Sequence, residues 1–340
     1  MRYPPKPSVG DRVAVLSPSA GLPQIFPEVF ELGLHRLAET FGLQPVEYPT
    51  TRRLGASAAD RAADLHAAFA DPQIGAILAS IGGDDQITVI PHLDRDLIAA
   101  NPKPFFGYSD NTNLLHLLYD LGMVGYHGGS VMVHLGRSGS LHPAHAASLR
   151  AALYVDGWFE LVEPANWGDE PYDWTDPSQL NLEPPMWTHE PWIWSDADVV
   201  VEGESWGGNV EIVSWLLQAG RVSTVAARVL FLETSEELPP AVEVYRTLRN
   251  MGERGLLQQF QAVLWARPKA WDRGKRNPPE AKRAFIDDQY EAVRRALSEY
   301  NPGAVLVLGV DFGHTDPQLI VPYGGMIRVD ASAHRISVRY

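Results

Sequence analysis

Apolar residues along the first half of the chain come in short runs separated by helix-period stretches. The run DRVAVLSPSA is β-rich and ends in small residues, and PEVFELGLHRLAETFGL then repeats its apolar positions at helical spacing. A strand-like step, QPVEYP, leads to an Ala-rich helix pattern in ASAADRAADLHAAFADP and to IGAILASIGG, a continuous apolar strand closed by glycines. The segments DDQITVIPHLD and RDLIAANP read as short helices, and FFGYS as a strand running directly into the helix NTNLLHLLYDLG. Alternating strands and helices, with strands apolar throughout, predict an α/β fold: a parallel sheet covered on both faces. Ligands of such sheets sit at the carboxyl ends of the strands. Three loops fall there: Ser17-Pro18-Ser19-Ala20, Gly82-Gly83-Asp84-Asp85 and Ser109-Asp110-Asn111.

The pattern changes near residue 155. Seven of the ten tryptophans lie between residues 158 and 206, in a stretch rich in Pro, Asp and Glu with no helical period. This predicts a long ordered loop, about 165–195, with short strands; long irregular segments within compact domains are often functional. Strand and helix signals resume in SWGGNVEIVSWLLQAG, ARVLFLETSEE, PAVEVYRTLRNMGERGLL, LQQFQAVLWA, a helix over 279–299 and GAVLVLGVDFGHTDP. The final MIRVDASAHRISVRY alternates like a hairpin. A chain of 340 residues exceeds what one core ordinarily supports. Two domains are expected, 1–155 of α/β type and 156–340 of mixed α and β.

Charge and composition remove several function classes. The net charge is −14, from 28 basic and 42 acidic residues, and no basic face for nucleic acid is visible. The run KAWDRGKR at 269–276 reads as a solvated loop. No apolar stretch is long enough to span a membrane, and the N-terminus lacks a secretory core, so a cytoplasmic protein without membrane partners is expected. The absence of cysteine excludes disulfides, thiolate metal sites and cysteine nucleophiles. With no His-Glu-x-x-His and no complete glycine fingerprint after the first strand, neither a metal nor a cofactor is expected.

Ser109 stands at an abrupt strand-to-helix corner. A serine there either caps the helix or is held out as a nucleophile beside the amide of the next residue. Gly107-Tyr108-Ser109-Asp110-Asn111 lacks the second glycine of the elbow motif, so the corner alone leaves both readings open. Most of the eleven histidines lie on helix patterns (His35, His66, His116) or in polar loops (His142, His145, His189) and read as structural. His314 differs, following the strand VLVLGVDFG in a strand-end loop where scaffolds display functional side chains. Glu233 ends the apolar strand Leu230-Phe231-Leu232 and, if buried there, needs a partner.

Taken together, IGGDDQITVIPHLD, NPKPFFGYSDNTNLLHLL, GGNVEIV, LFLETSEE and GVDFGHTDP resemble the serine peptidases that comprise murein LD-carboxypeptidases and microcin C immunity peptidases. The matches run in order from near residue 10 to near residue 330. The resemblance implies a Ser109 nucleophile, a His314 base oriented by Glu233, and an oxyanion hole from the backbone amides of Gly83 (or Asp84) and Asp110. It also implies an N-terminal α/β domain of nucleotide-binding-like appearance joined to a C-terminal domain of mixed α and β, an active site between the two, and a homodimer. Gly-Gly-Asp-Asp and the long Trp-rich insertion look more like the microcin immunity branch, whereas Tyr126-His127-Gly128-Gly129 lacks a proline common in the family. That branch implies a small-molecule substrate, an aminoacyl adenylate analogue of Asp or Glu type. Asp84, Trp174, Trp187 and Trp192 are candidates to bind it, the tryptophans by stacking on a base. The alternatives are a murein LD-carboxypeptidase acting on a peptide, and a non-catalytic small-molecule-binding protein.

Overall fold

The computed structural model describes residues 1–340 apart from Pro171, Ser223, Thr224 and Arg273. Two sheets carry the molecule. The first has six strands in the order Val321–Tyr323, Gly125–His127, Phe105–Gly107, Ile74–Ala79, Arg12–Leu16 and Gln44–Glu47. The five strands from the N-terminal half are parallel, as their apolar runs predict. The sixth, Val321–Tyr323, returns from far along the chain and pairs antiparallel with Gly125–His127. The second sheet has eight strands, ordered Trp158–Leu161, Arg335–Arg339, Met326–Asp330, Val200–Asn209, Val229–Glu233, Ala262–Ala266, Val305–Val310 and Ile193–Trp194. Its central four are parallel, and antiparallel strands close both sides, including the C-terminal hairpin.

Helices begin where local chemistry permits. The Ser57 side chain accepts from the Asp60 amide at the start of Ala58–Ala70, and Gly42 takes the left-handed conformation that ends Pro27–Phe41. His145 is not in a loop as its polar surroundings suggested, whereas His142 is the last loop residue before a helix. His142 caps the helix Pro143–Tyr154, whose first-turn proline suits a helix start, and His145 is buried within it.

The two sheets meet at the turn Gly207-Gly208-Asn209. A Cβ on Gly207 would lie 1.7 Å from the Phe231 carbonyl oxygen, and one on Gly208 would lie 2.7 Å from Thr112 Oγ1. Only glycine lets this strand end approach both its neighbour and the helix Thr112–Asp120. Asn209 finishes the contact: its amide donates to Thr112 Oγ1 at 3.1 Å, and its side chain caps the helix Val210–Gln218.

The Trp-rich segment is tied down by charge pairs rather than regular structure. Arg137 binds Asp316 at 2.6 Å and Glu183 at 2.8 Å, Lys282 binds buried Asp169 at 2.7 Å, and Arg267 bridges Asp311 and Glu190 at 2.9 and 3.2 Å. Among the described residues, its strands between 165 and 195 are the short pair Asn166–Trp167 and Trp187–Thr188, and Ile193–Trp194 at the edge of the large sheet.

Candidate active site

The strand Phe105–Gly107 is wholly buried, and Tyr108 continues it in extended conformation. The chain then turns sharply. Ser109 has φ of 60°, in the left-handed region that non-glycine residues rarely occupy, and the helix Thr112–Asp120 follows. Strain of this kind costs ~1–3 kcal/mol and persists only where surrounding structure enforces it. Here the enforcing groups are polar and buried. Asn111 Nδ2 donates to the Tyr108 carbonyl at 3.0 Å, while its Oδ1 accepts from Gln86 Nε2 at 2.8 Å. Gln86 Oε1 accepts from the Leu114 amide at 3.0 Å. The Asp110 carboxylate accepts from the Ser19 hydroxyl, from the Gln86 amide at 2.9 Å and from Asn113 Nδ2 at 2.9 Å. The Ser109 side chain caps neither helical turn at this corner, which removes the helix-cap reading.

The glycine turn sits directly against the serine. A Cβ on Gly82 would be 2.9 Å from Ser109 Cβ and 3.1 Å from its Oγ. Two bonds hold this turn in place. The Ala20 amide donates to the Gly82 carbonyl at 3.1 Å, and buried Arg61 grips Asp85 in bidentate fashion at 2.6 and 2.8 Å. Asp85 is therefore neutralised by a partner 24 residues away.

Glu233 and His314 arrive from the ends of strands in the second sheet. Glu233 has no solvent exposure, and its Oε2 lies 2.5 Å from His314 Nδ1. The opposite nitrogen, Nε2, lies 3.0 Å from the Glu236 carboxylate, whose side chain is 53% exposed at the cavity mouth. Burial depresses the His314 pKa, but the Glu233 and then the Glu236 charges outweigh it and push the value up to about 10. Burial, and then the nearby Glu233 charge, raise Glu211 to about 7; its carboxylate accepts from the Ser235 amide at 3.0 Å. The Tyr108 ring packs 4.8 Å from the imidazole of His314, so the residue before the serine also positions the histidine.

Ser109, Gly82, Gly83 and His314 line one cavity of about 390 Å³, together with Glu236, Lys269 and the aromatic side chains of Phe26, Tyr172, Trp174 and Trp271. That volume lies within the range of small-molecule sites, ~300–1,000 Å³. A narrower recess of about 70 Å³ continues from it past Tyr172, Trp174, Lys269 and His314 toward His134, Arg137 and Met186.

Of the tryptophans singled out from the sequence, Trp174 is on the cavity wall, edge-on to Phe26 at 5.5 Å. Trp192 is buried elsewhere, its indole N–H donating to Asp311 at 2.8 Å. Trp187 lies beneath the Lys282 ammonium, 5.2 Å from its ring, and Trp194 stacks on His334. Asp84 is exposed beside the glycine turn and lines neither cavity. Sequence reasoning missed Lys269, Trp271 and Asp272. They open the run taken for a solvated loop, and all three line the cavity. Glu236 and Tyr172 were also missed. The only available signal for Glu236 was its distance of three residues from Glu233.

Residues 13–128 match the LD-carboxypeptidase N-terminal domain of peptidase S66, and residues 202–329 match the LD-carboxypeptidase C-terminal domain. The chain is 24% identical to the microcin C7 self-immunity protein MccF of Escherichia coli over 285 residues, 82% of this chain and 78% of that protein. It is 25% identical to a Bacillus subtilis protein named "probable murein peptide carboxypeptidase", covering 95% of this chain and 90% of that one. Among solved structures, MccF in complex with aspartyl sulfamoyl adenosine superposes with a TM-score of 0.85 at 23% identity, covering 100% of this chain and 99% of the other. An MccF-like protein from Bacillus anthracis gives 0.86 at 23% identity, with the same coverage.

Proposed function

Since the chain belongs to the peptidase S66 family and is a serine peptidase by that membership, we propose that it cleaves the amide bond of an aminoacyl adenylate analogue through an acyl-enzyme on Ser109. The observation that carries this reading is the strained Ser109 corner facing the same cavity as the Glu233–His314 pair. His314 Nε2 takes the Ser109 hydroxyl proton as Oγ attacks the carbonyl carbon. Glu233, on Nδ1, holds the ring in the tautomer that leaves Nε2 to accept, and stabilises the imidazolium that forms. The backbone amides of Asp110, next after the serine, and of Gly83, next after the Gly82 that packs on it, are the donors proposed for the oxyanion. Neither donates to an acceptor among the described residues. Collapse breaks the carbon–nitrogen bond, and the imidazolium returns its proton to the leaving nitrogen. Water then attacks the ester by the same route and frees Ser109.

The adenylate half of the proposal rests on the cavity's aromatic wall. Trp174, Tyr172, Trp271 and Phe26 offer planar faces suited to a nucleobase. The MccF structures include complexes with adenosine monophosphate and with aspartyl sulfamoyl adenosine. A murein L,D-tetrapeptide is the second reading, favoured by the Bacillus subtilis relative. Incubating the protein with aspartyl and glutamyl sulfamoyl adenosine beside the tetrapeptide separates the two. Amino acid release from the adenosines is expected. Release of a terminal D-amino acid, with the adenosines intact, would establish the second reading instead. In either case Ser109→Ala should lower kcat by about a millionfold.

A further inference from the structure

His314 Nε2 has two claimants. As the base for Ser109 it must be neutral and free, yet it lies 3.0 Å from Glu236 Oε2. Among the described residues, the Ser109 hydroxyl itself has no hydrogen-bond partner. The resting geometry therefore describes a histidine engaged at both nitrogens by carboxylates, with the nucleophile unassisted.

We infer that Glu236 is a specificity-determining gate, which holds the His314 base in the free protein and leaves it for a cationic amine next to the scissile carbonyl of the substrate. This rests on the proposed roles of Ser109 and His314 and narrows the substrate class to acyl donors bearing a free α-ammonium. The distances require it to be near. In the reacting state Ser109 Oγ is within hydrogen-bond reach of Nε2, and the carbonyl carbon is bonded to Oγ. The α-ammonium nitrogen stands two bonds from that carbon, and a carboxylate that can sit 3.0 Å from the same Nε2 is placed on the side where it can be met. Glu236 is able to leave, because its side chain is 53% exposed and water can take over the hydration of its carboxylate. Glu233, with no exposure, cannot leave in the same way. The other groups facing His314 do not substitute for Glu236. His127 and His134 are driven by burial toward the neutral form, and Tyr108 is held protonated by burial. Asp316 is committed to Arg137. Among the described residues, Lys269 is the further cation on the wall of this cavity, and Asp272 nearby adds a second carboxylate.

Two measurements test this, one of them independent of the substrate. The rate at which a fluorophosphonate labels Ser109, followed against pH, reads the state of His314. In Glu236→Gln the midpoint should fall by a unit or more, because removing a neighbouring negative charge makes the imidazole easier to deprotonate. An unchanged midpoint overturns the hold on the base. Calorimetry on Ser109→Ala with aspartyl sulfamoyl adenosine and its N-acetyl derivative reads the amine. Acetylation should weaken binding by about tenfold or more, the scale of a lost charged hydrogen bond. In Ser109→Ala/Glu236→Gln the two ligands should bind alike. An equal penalty in both backgrounds overturns recognition of the ammonium. If neither ligand binds, the aminoacyl-adenylate reading fails, and the labelling profile alone decides whether Glu236 holds the base.

Discussion

Gly82→Ala isolates the geometry of the Ser109 corner in a single methyl group. Gly82 does not have a positive φ, so alanine is allowed on backbone grounds. The new Cβ would stand 2.9 Å from Ser109 Cβ and 3.1 Å from Oγ, about 0.5–1 Å inside ordinary carbon contact. Something must give. Ser109 is held by a network centred on Asp110, Asn111 and Gln86, and the glycine turn is held by the Arg61–Asp85 pair. Neither side can withdraw freely, so the strain falls on the serine rotamer and on the donors beside it. Overpacking of this size costs ~1–3 kcal/mol of stability, which a domain of this size can absorb. A displacement of ~1 Å at the reacting atom costs about a hundredfold in rate, and loss of an oxyanion donor costs about a hundred- to a thousandfold in kcat. The expected variant is folded, melts cooperatively within a few degrees of wild type, and has kcat and fluorophosphonate labelling reduced by about a hundredfold or more. Wild-type labelling by the folded variant would falsify the view that the glycine turn and Ser109 form one tightly fitted unit.

Three further outcomes follow from the site. The acid limb of kcat/KM, which reports the free protein, should have its midpoint above the ordinary histidine value of 6.5 and toward about 10, because Glu233 and Glu236 favour the charged imidazole; a limb centred at 6.5 would contradict the His314 environment. Asp110→Ala strands the Ser19 hydroxyl and the Gln86 amide, while Asn113 Nδ2 keeps its bond to the residue 110 carbonyl, and should cost ~2–4 kcal/mol in chemical denaturation, at ~1–3 kcal/mol per buried group partly relieved by water, together with a fall in kcat larger than any change in KM. Trp174→Ala should weaken adenosine monophosphate binding by ~1–3 kcal/mol with little change in melting, whereas Trp192→Ala, which leaves Asp311 without its indole donor, should cost ~3–5 kcal/mol of stability and spare the ligand; the reverse pattern in titration and melting would refute the assignment of these two rings.

The residues legible in the sequence are those whose meaning is local. Ser109, Glu233 and His314 each follow a short apolar strand, and a polar residue at the end of a buried strand stands out against what precedes it. The six-stranded sheet was readable for the same reason, except for its edge. Val321–Tyr323 pairs with Gly125–His127, and no periodicity within either segment announces a partner that far away. The tryptophans show the opposite limit. Composition marks 158–206 as aromatic, but an indole serves equally to fill a wall, to donate to Asp311 as Trp192 does, or to lie under a cation as Trp167 does beneath Arg267. Only the folded arrangement of Arg137, Arg267 and Lys282 decides which ring faces the cavity. KAWDRGKR carries the polar pattern of a solvated loop, and its end, Gly274, Lys275 and Arg276, is exposed. Lys269, Trp271 and Asp272 acquire their position from the strand Ala262–Ala266 that delivers them beside His314. Glu236 is the sharpest instance. In sequence it is one acid among Glu233, Glu236 and Glu237, and in space it alone reaches the second nitrogen of the histidine. The groups proposed for the bond-breaking step sit at or just past strand ends and leave a local mark. Groups that select a substrate meet it across loops from both sheets, and their identity exists only once those loops are brought together.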